Sequence, residues 1–557
     1  MAKTMSEMRS FFTARFRGGA SQAGDRRRGC QQVLLVVGVL CLGACGKTTN
    51  IGIYGSVEGF AGAAVADEPR AAVIARDVLS ANGSAADAAV AMFFTLAVTL
   101  PSSAGLGGGG VCVIHDPENK RTEALEFLPR AAPDGRVALP GNVRGMAALH
   151  ARYGRLRWEQ LLAPAENLAT LGTPASRALA REVATAGDKL LTDPEVARVF
   201  ARADGRLIDE GDQLRQPELA TVLGQIRQKG AGEFYTGTTA RNLSAGALSI
   251  GAPLTMDAMR GVLPEFRDPV QVEFGYHYLS FAPPPAAGGL VAAQLFALLS
   301  AGRDWESASD DERPHLFVEA SKRAFAERTR WMQPDGSTTE VLADLVSSQH
   351  VEQLMANYDK DHATAASTLD PVPIGRPENP WATSFVAVDR DGFAVACNVT
   401  MNALFGSGRM APGTGVFLAP APDDSGTGAV SLGPMILANK PTGDFYYAAA
   451  ASGGPTAATA MIAVFLRAAA AEESLESAIA AKRLHHNGDP DLVFFEQGES
   501  QSILDDLTRR GHQLEEAGII GRVNAVWCPK ALPGGSASCQ VQSDPRANGL
   551  ANILSEE

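Results

Sequence analysis

The chain has 557 residues, 49 basic and 62 acidic side chains, and a net charge of −13. That length allows several domains or one large layered body. The acidic balance excludes a sequence-independent nucleic-acid binder, which needs a basic surface to neutralise phosphates, and seven cysteines are too few for a disulfide scaffold.

The basic charge gathers at the start. Residues 1–45 hold seven basic and two acidic side chains, so the remainder stands at −18. Arg26-Arg27-Arg28 precede the apolar run Val33–Leu40, which is shorter than the ~18 residues of a spanning helix. A basic segment, a short apolar segment and small residues make an export signal. Leu42-Gly43-Ala44-Cys45 is similar to a bacterial lipobox. The expectation is a lipoprotein signal peptide over 1–45, lipidation at Cys45, and a place in the bacterial cell envelope, membrane-anchored and facing the periplasm. An ordinary signal peptide with a chance cysteine, or an uncleaved anchor, is the alternative.

Residues 69–98 read as an apolar helix pair broken at Asn82-Gly83, of the kind buried between layers. Gly105, Gly107 and Gly110 satisfy G-x-G-x-x-G, but the run precedes a strand rather than following one, so close backbone packing is expected there instead of dinucleotide binding. Residues 144–185 and 216–230 have helical spacing. A strand is expected over 274–281, then a helix pair to about 333. Residues 357–381 are polar and Pro-bearing, as a linker or processing loop would be. From Ser384 to Cys397 two alternating runs flank Asp391-Gly392, a hairpin signal. Further strands are expected near 416, 435, 446, 523–527 and 539–543, with helices at 455–471 and 473–484. Strands and helices in blocks imply an α+β body of stacked layers.

Cys112 and Cys397 sit in apolar strand-like runs and read as buried free thiols. Cys528 and Cys539 flank a Pro/Gly-rich loop, where a hairpin-closing disulfide is expected. His485-His486 precedes Asn487-Gly488-Asp489-Pro490 and reads as a turn or an interface. Neither a metal-ligand spacing nor a cofactor motif appears. Chemistry without either needs a nucleophile and a nearby base. Thr383 offers both if the chain is cut before it, because a freed α-amine with a pKa near 8 is a local base for the hydroxyl. On these residues alone, a β-branched residue opening a strand is the better account of Thr383.

The wider chain resembles the γ-glutamyltransferase (glutathione hydrolase) family of N-terminal-nucleophile hydrolases. The residues are Asn82–Ala91, Pro101–Gly110, Pro140–Gly145, Tyr153–Trp158, the 384–397 hairpin, Asn402 with Phe405–Gly408, Gly453-Gly454 and Ser543–Arg546 with Gly549. The resemblance implies an αββα sandwich and a precursor cut into a large chain, 46–382, and a small chain, 383–557, that stay together as one domain. Thr383 would attack a γ-glutamyl amide, and water or an amine would release the acyl group. It further implies that Thr400 supports the nucleophile, that Gly453 and Gly454 form the oxyanion hole, and that Arg130, Asn402, Asp424 and Ser431 hold the substrate head group, with no cofactor. A non-catalytic envelope-anchored binding module of the same fold, or a related acylase, are the alternatives.

The pattern departs from the family at four places. A gap-free alignment through Val388–Gly392 puts Ala382 under the nucleophile, with Thr383 one place later. Arg130, in Leu128-Pro129-Arg130-Ala131-Ala132-Pro133, is displaced by one residue from the clamping arginine. Val430-Ser431 replaces a serine pair, and only six residues separate Asp424 from Ser431, where the family has a longer stretch. These departures imply a more open site and a substrate other than glutathione.

Overall fold

A computed structural model describes residues 60–133, 135–300, 304–371, 378–422 and 431–554. The chain divides into two units, Met1–Ile53 and Tyr54–Glu557; the description concerns the second. Cys45, Asp424 and the presumed export signal lie outside the described residues.

Ser84 starts the helix Ala85–Thr99. Its hydroxyl accepts from the Asp87 N–H while the Asp87 carboxylate accepts from the Ser84 N–H, a reciprocal cap that satisfies donors out of reach of water. All 15 residues of this helix are buried. It packs against the helices Pro69–Ser80 and Trp158–Leu171 on one side and the strand Thr383–Asp389 on the other. Asn82, at φ 67°, turns the chain between the first two helices, the left-handed role for which Asn-Gly is suited.

Two antiparallel sheets form the centre. The seven-stranded sheet runs in the order Leu550–Leu554, Gly62–Ala66, Thr383–Asp389, Ala394–Thr400, Gly109–Asp116, Arg121–Phe127 and Glu265–Arg267. The six-stranded sheet runs Gln540–Gln542, Arg522–Leu532, Phe445–Ser452, Met435–Asn439, His277–Phe281 and Val270–Phe274. Val65, Val113, Val386 and Ala396 from the first meet Ile436, Ala448, Ala450 and Val526 from the second in one core. The first sheet's other face meets the helices Pro69–Ser80, Ala85–Thr99 and Asn142–Tyr153, and the second sheet's other face meets Ala287–Ser300 and Thr456–Phe465. The layers are therefore helix, sheet, sheet, helix, the sandwich of N-terminal-nucleophile hydrolases. Within the first sheet a glycine lets neighbouring backbones approach closely: a Cβ on Gly108 would lie 2.1 Å from the Thr400 carbonyl oxygen.

Three expectations need correction. Cys112 and Cys397 are not free thiols but a disulfide. They stand directly opposite on neighbouring strands with Cα atoms 4.1 Å apart, the close approach of an antiparallel pair. Residues 274–281 are not one strand, because Gly275 at φ 60° turns the chain between Val270–Phe274 and His277–Phe281. His485 and His486 are fully enclosed rather than at a turn. His485 pairs with the Thr459 hydroxyl at 2.9 Å and His486 with Asp491 at 3.1 Å. Cys528 and Cys539 form the expected disulfide.

Candidate active site

Side chains alternate along the strand that begins at Thr383. Ala382, Val386 and Val388 point into the core between the sheets, whereas Phe385 and Ala387 point toward the helices. Thr383 shares the parity of the second set, and Ser384 that of the first. A nucleophile moved from 382 to 383 is therefore presented to the opposite side of the sheet.

The Thr383 hydroxyl meets a carboxylate. Thr383 Oγ1 donates to Asp67 Oδ2 at 3.0 Å, and the Ser384 N–H donates to the same oxygen at 2.9 Å. Asn524, from the second sheet, donates to Asp67 Oδ1 at 2.8 Å and to the Ser384 carbonyl at 3.0 Å. Asp67, Thr383, Ser384 and Asn524 are all buried. Burial pushes the Asp67 carboxyl above its ordinary range, against the opposing pull of Arg522 and of its hydrogen bonds. A carboxylate so raised is a better proton acceptor for a hydroxyl than an exposed one. Sequence reasoning missed Asp67 and Asn524. They come from opposite ends of the chain, and no local pattern joins them.

The other expected site residues address the segment just upstream. Thr400 Oγ1 donates to the Trp381 carbonyl at 2.8 Å and accepts from the Asn402 N–H at 3.0 Å. Gly454 adopts φ 65° and lies so close to this segment that a Cβ there would stand 3.2 Å from the Asn379 carbonyl oxygen. Gly453, at φ 131°, faces a cavity shared with Pro380 and Trp381. Thr400, Gly453 and Gly454 therefore converge on residues 379–381. Asn402 turns at φ 61° and spends its amide on the Pro420 carbonyl at 3.0 Å, leaving its buried carbonyl oxygen without a partner.

Two expected residues are engaged elsewhere. Ser431 donates to Glu378, which is paired with Arg328 at 2.5 Å in a buried cluster. Arg130 is exposed and bound to Glu126 at 3.1 Å and Glu265 at 3.5 Å. The position one residue upstream is Pro129, which carries no charge. The ligand atoms of His315, Glu319 and His512 lie within 4.8 Å of one another. Glu319 is already neutralised by Arg323 at 2.5 Å and Lys322 at 3.3 Å, cations that a metal ion would have to displace or repel. A groove of about 750 Å³ among Pro69, Ile74, Arg177 and Glu210 contains none of these residues.

The sequence pattern described as Gamma-glutamyltranspeptidase matches residues 71–554. The chain belongs to the gamma-glutamyltranspeptidase family. It is 29% identical over 523 residues to Scoloptoxin SSD14 of Scolopendra dehaani, a match covering 85% of this chain and 89% of that one. It is 29% identical over 549 residues to the glutathione hydrolase proenzyme of Pseudomonas aeruginosa, covering 88% and 94%. In three dimensions it is similar to the cephalosporin acylase of Bacillus halodurans, with a TM-score of 0.76 at 22% identity over 90% of this chain and 97% of that one. As a gamma-glutamyltranspeptidase family member it is an N-terminal-nucleophile hydrolase whose chemistry is amide hydrolysis or acyl transfer. Among the described residues, no helix is long and apolar enough to cross a membrane.

Proposed function

We propose that this protein is made as a precursor, cuts itself between Ala382 and Thr383, and then uses Thr383 as the nucleophile toward γ-glutamyl or related acyl amides other than glutathione. The observation that carries this reading is the buried hydrogen bond between Thr383 Oγ1 and Asp67 Oδ2. In the precursor, Oγ1 attacks the Ala382 carbonyl carbon and its proton passes to Asp67. The C–N bond breaks, the proton moves to the leaving amine, and an ester joins Ala382 to the Thr383 oxygen. Water hydrolyses the ester and frees both the hydroxyl and the α-amine. In turnover the amine takes the hydroxyl proton, Oγ1 forms an ester with the substrate acyl group, and the amide nitrogen leaves with that proton. Water or an amine then releases the acyl group.

The name proenzyme, carried by the Pseudomonas aeruginosa relative, agrees with a cut precursor. The basic and apolar opening with Cys45 agrees with export and lipid anchoring. A second reading has its own support. Thr400 and Gly454 address residues 379–381, the neighbourhood of a cut before Ala382, which has no hydroxyl to make it.

Mass spectrometry of the denatured, reduced protein decides. The expected result is a fragment beginning at Thr383, kept in Thr383→Ser and absent in Thr383→Ala. An uncut chain, or a fragment beginning elsewhere, overturns the assignment and leaves the fold as a binding module or moves the nucleophile.

A further inference from the structure

A cavity of about 200 Å³ lies beside the cut site, walled by Pro380, Trp381 and Gly453 on one side and by Arg181, Glu182 and Arg522 on the other. The helix Arg177–Ala186 that carries Glu182 packs into the same core as Phe385 and Ala387, and Arg522 and Gly453 come from strand ends of the second sheet. Asp67 connects the cavity to Thr383. It holds the Thr383 hydroxyl, and its charge and that of Glu182 are both felt by Arg522.

The charges in this cavity are incompletely matched. Glu182 is 95% buried, and one of its oxygens, Oε2, accepts from the hydroxyls of Ser102 and Ser103. Its other oxygen, Oε1, meets Arg522 only at 3.7 Å. That long ion pair involves the one carboxylate within 4 Å of the Arg522 guanidinium among the described residues, and the Arg522 side chain is 16% exposed. Its five donors make no hydrogen bond among the described residues and are open to the cavity. Arg181, at the rim, adds a second guanidinium and spends one donor on the Arg546 carbonyl at 3.0 Å. The volume is below the ~300 Å³ of pockets for drug-sized ligands, which suits a head group rather than a tripeptide.

Resting on the reading of Thr383 as nucleophile, we infer that this cavity seats the zwitterionic head of an α-amino-acid acyl donor, its carboxylate on Arg522 and Arg181 and its ammonium on Glu182 Oε1. Arg130 is then free to serve as a surface ion pair.

The test titrates the purified protein, in whatever state of cutting its mass reveals, with L-glutamate, with glutarate lacking the α-amine, and with 4-aminobutyrate lacking the α-carboxylate. L-Glutamate should bind the wild type. Arg522→Gln should weaken L-glutamate by about tenfold or more, the scale of a lost charged hydrogen bond, and leave 4-aminobutyrate unchanged. Glu182→Gln should weaken L-glutamate and spare glutarate. If Arg522→Gln melts early, the exposed Arg181→Ala carries the same comparison, with a smaller loss confined to ligands bearing the α-carboxylate. Absence of L-glutamate binding, or equal losses for all three ligands, overturns the inference. The head-group pattern on an uncut chain keeps the cavity and removes Thr383 as nucleophile. A cut chain without the pattern does the reverse.

Discussion

At the scale of single residues, the site turns on Thr383 and its carboxylate. Asp67→Asn keeps the shape and removes the proton acceptor, so self-cleavage should slow by about 10²–10⁴-fold, the usual worth of a general base. This is checked by the rate of fragment appearance after rapid refolding. The sign of its pH dependence follows from burial. Burial raises the Asp67 carboxyl, so cleavage should gain rate as pH rises through that raised value and lose it in acid. Ala382→Thr gives an independent check. Thr383 and Asp67 remain in place, so the cut should still fall before Thr383. A fragment beginning at residue 382 would assign the work to Thr400 and Gly454 instead.

At the scale of elements, the hairpin Thr383–Thr400 was legible because its apolar residues alternate with period two around Asp391-Gly392, and Gly392 takes φ 85° at the turn. The Asn82 break between the first helices was legible for the same kind of local reason. The cluster of Asp67, Glu182, Arg522 and Asn524 was not, since it joins three distant parts of the chain, of which only Arg522 and Asn524 share a strand, and only tertiary packing brings them together. The Cys112–Cys397 pairing needed the register of two strands 285 residues apart in sequence, which no spacing encodes. Gly454 joins both kinds of information. The glycine pair was visible, but its reason is a left-handed turn pressed against Asn379 and Pro380. Gly454→Ala should cost about 1–2 kcal/mol for the left-handed backbone and displace residues 379–380. The checks are a lower melting temperature and slower cleavage in the same variant.

At the scale of the molecule, protonation and topology set the limits of stability. Burial lowers His485 and His512 to about 3 from an ordinary 6.5. The unfolded chain therefore takes protons that the fold refuses, and stability present above pH 6.5 is lost as pH falls below it. Asp389 is raised to about 6 by burial and acts in the opposite sense between pH 4 and 6. Asp67, Glu68 and Glu182 are raised by burial and act with Asp389. His115, His277, His315 and His486 are lowered by burial and act with the first two imidazoles. The lowered imidazoles are the more numerous, and the depressed Asp491 and Glu319 add acid lability at lower pH. The melting temperature should be lower at pH 5 than at pH 7, as calorimetry would record, and the difference should shrink in His485→Gln. Topology adds a separate constraint. In the seven-stranded sheet, Gly62–Ala66 lies between Leu550–Leu554 and Thr383–Asp389, so strands from before and after the cut are interleaved. Neither proposed fragment would carry a complete sheet, so folding would have to precede the proposed cut.

The Cys112–Cys397 disulfide changes its meaning once the chain is cut. In the precursor it closes a long loop. After cleavage before Thr383 one sulfur belongs to each product, and the same bond becomes a covalent tether between two polypeptides. A cut molecule run without reductant would then migrate as a single species, and reductant would resolve it into two bands. The bond would also bar exchange of small chains between molecules, so each nucleophile would remain for life with the large chain that folded around it.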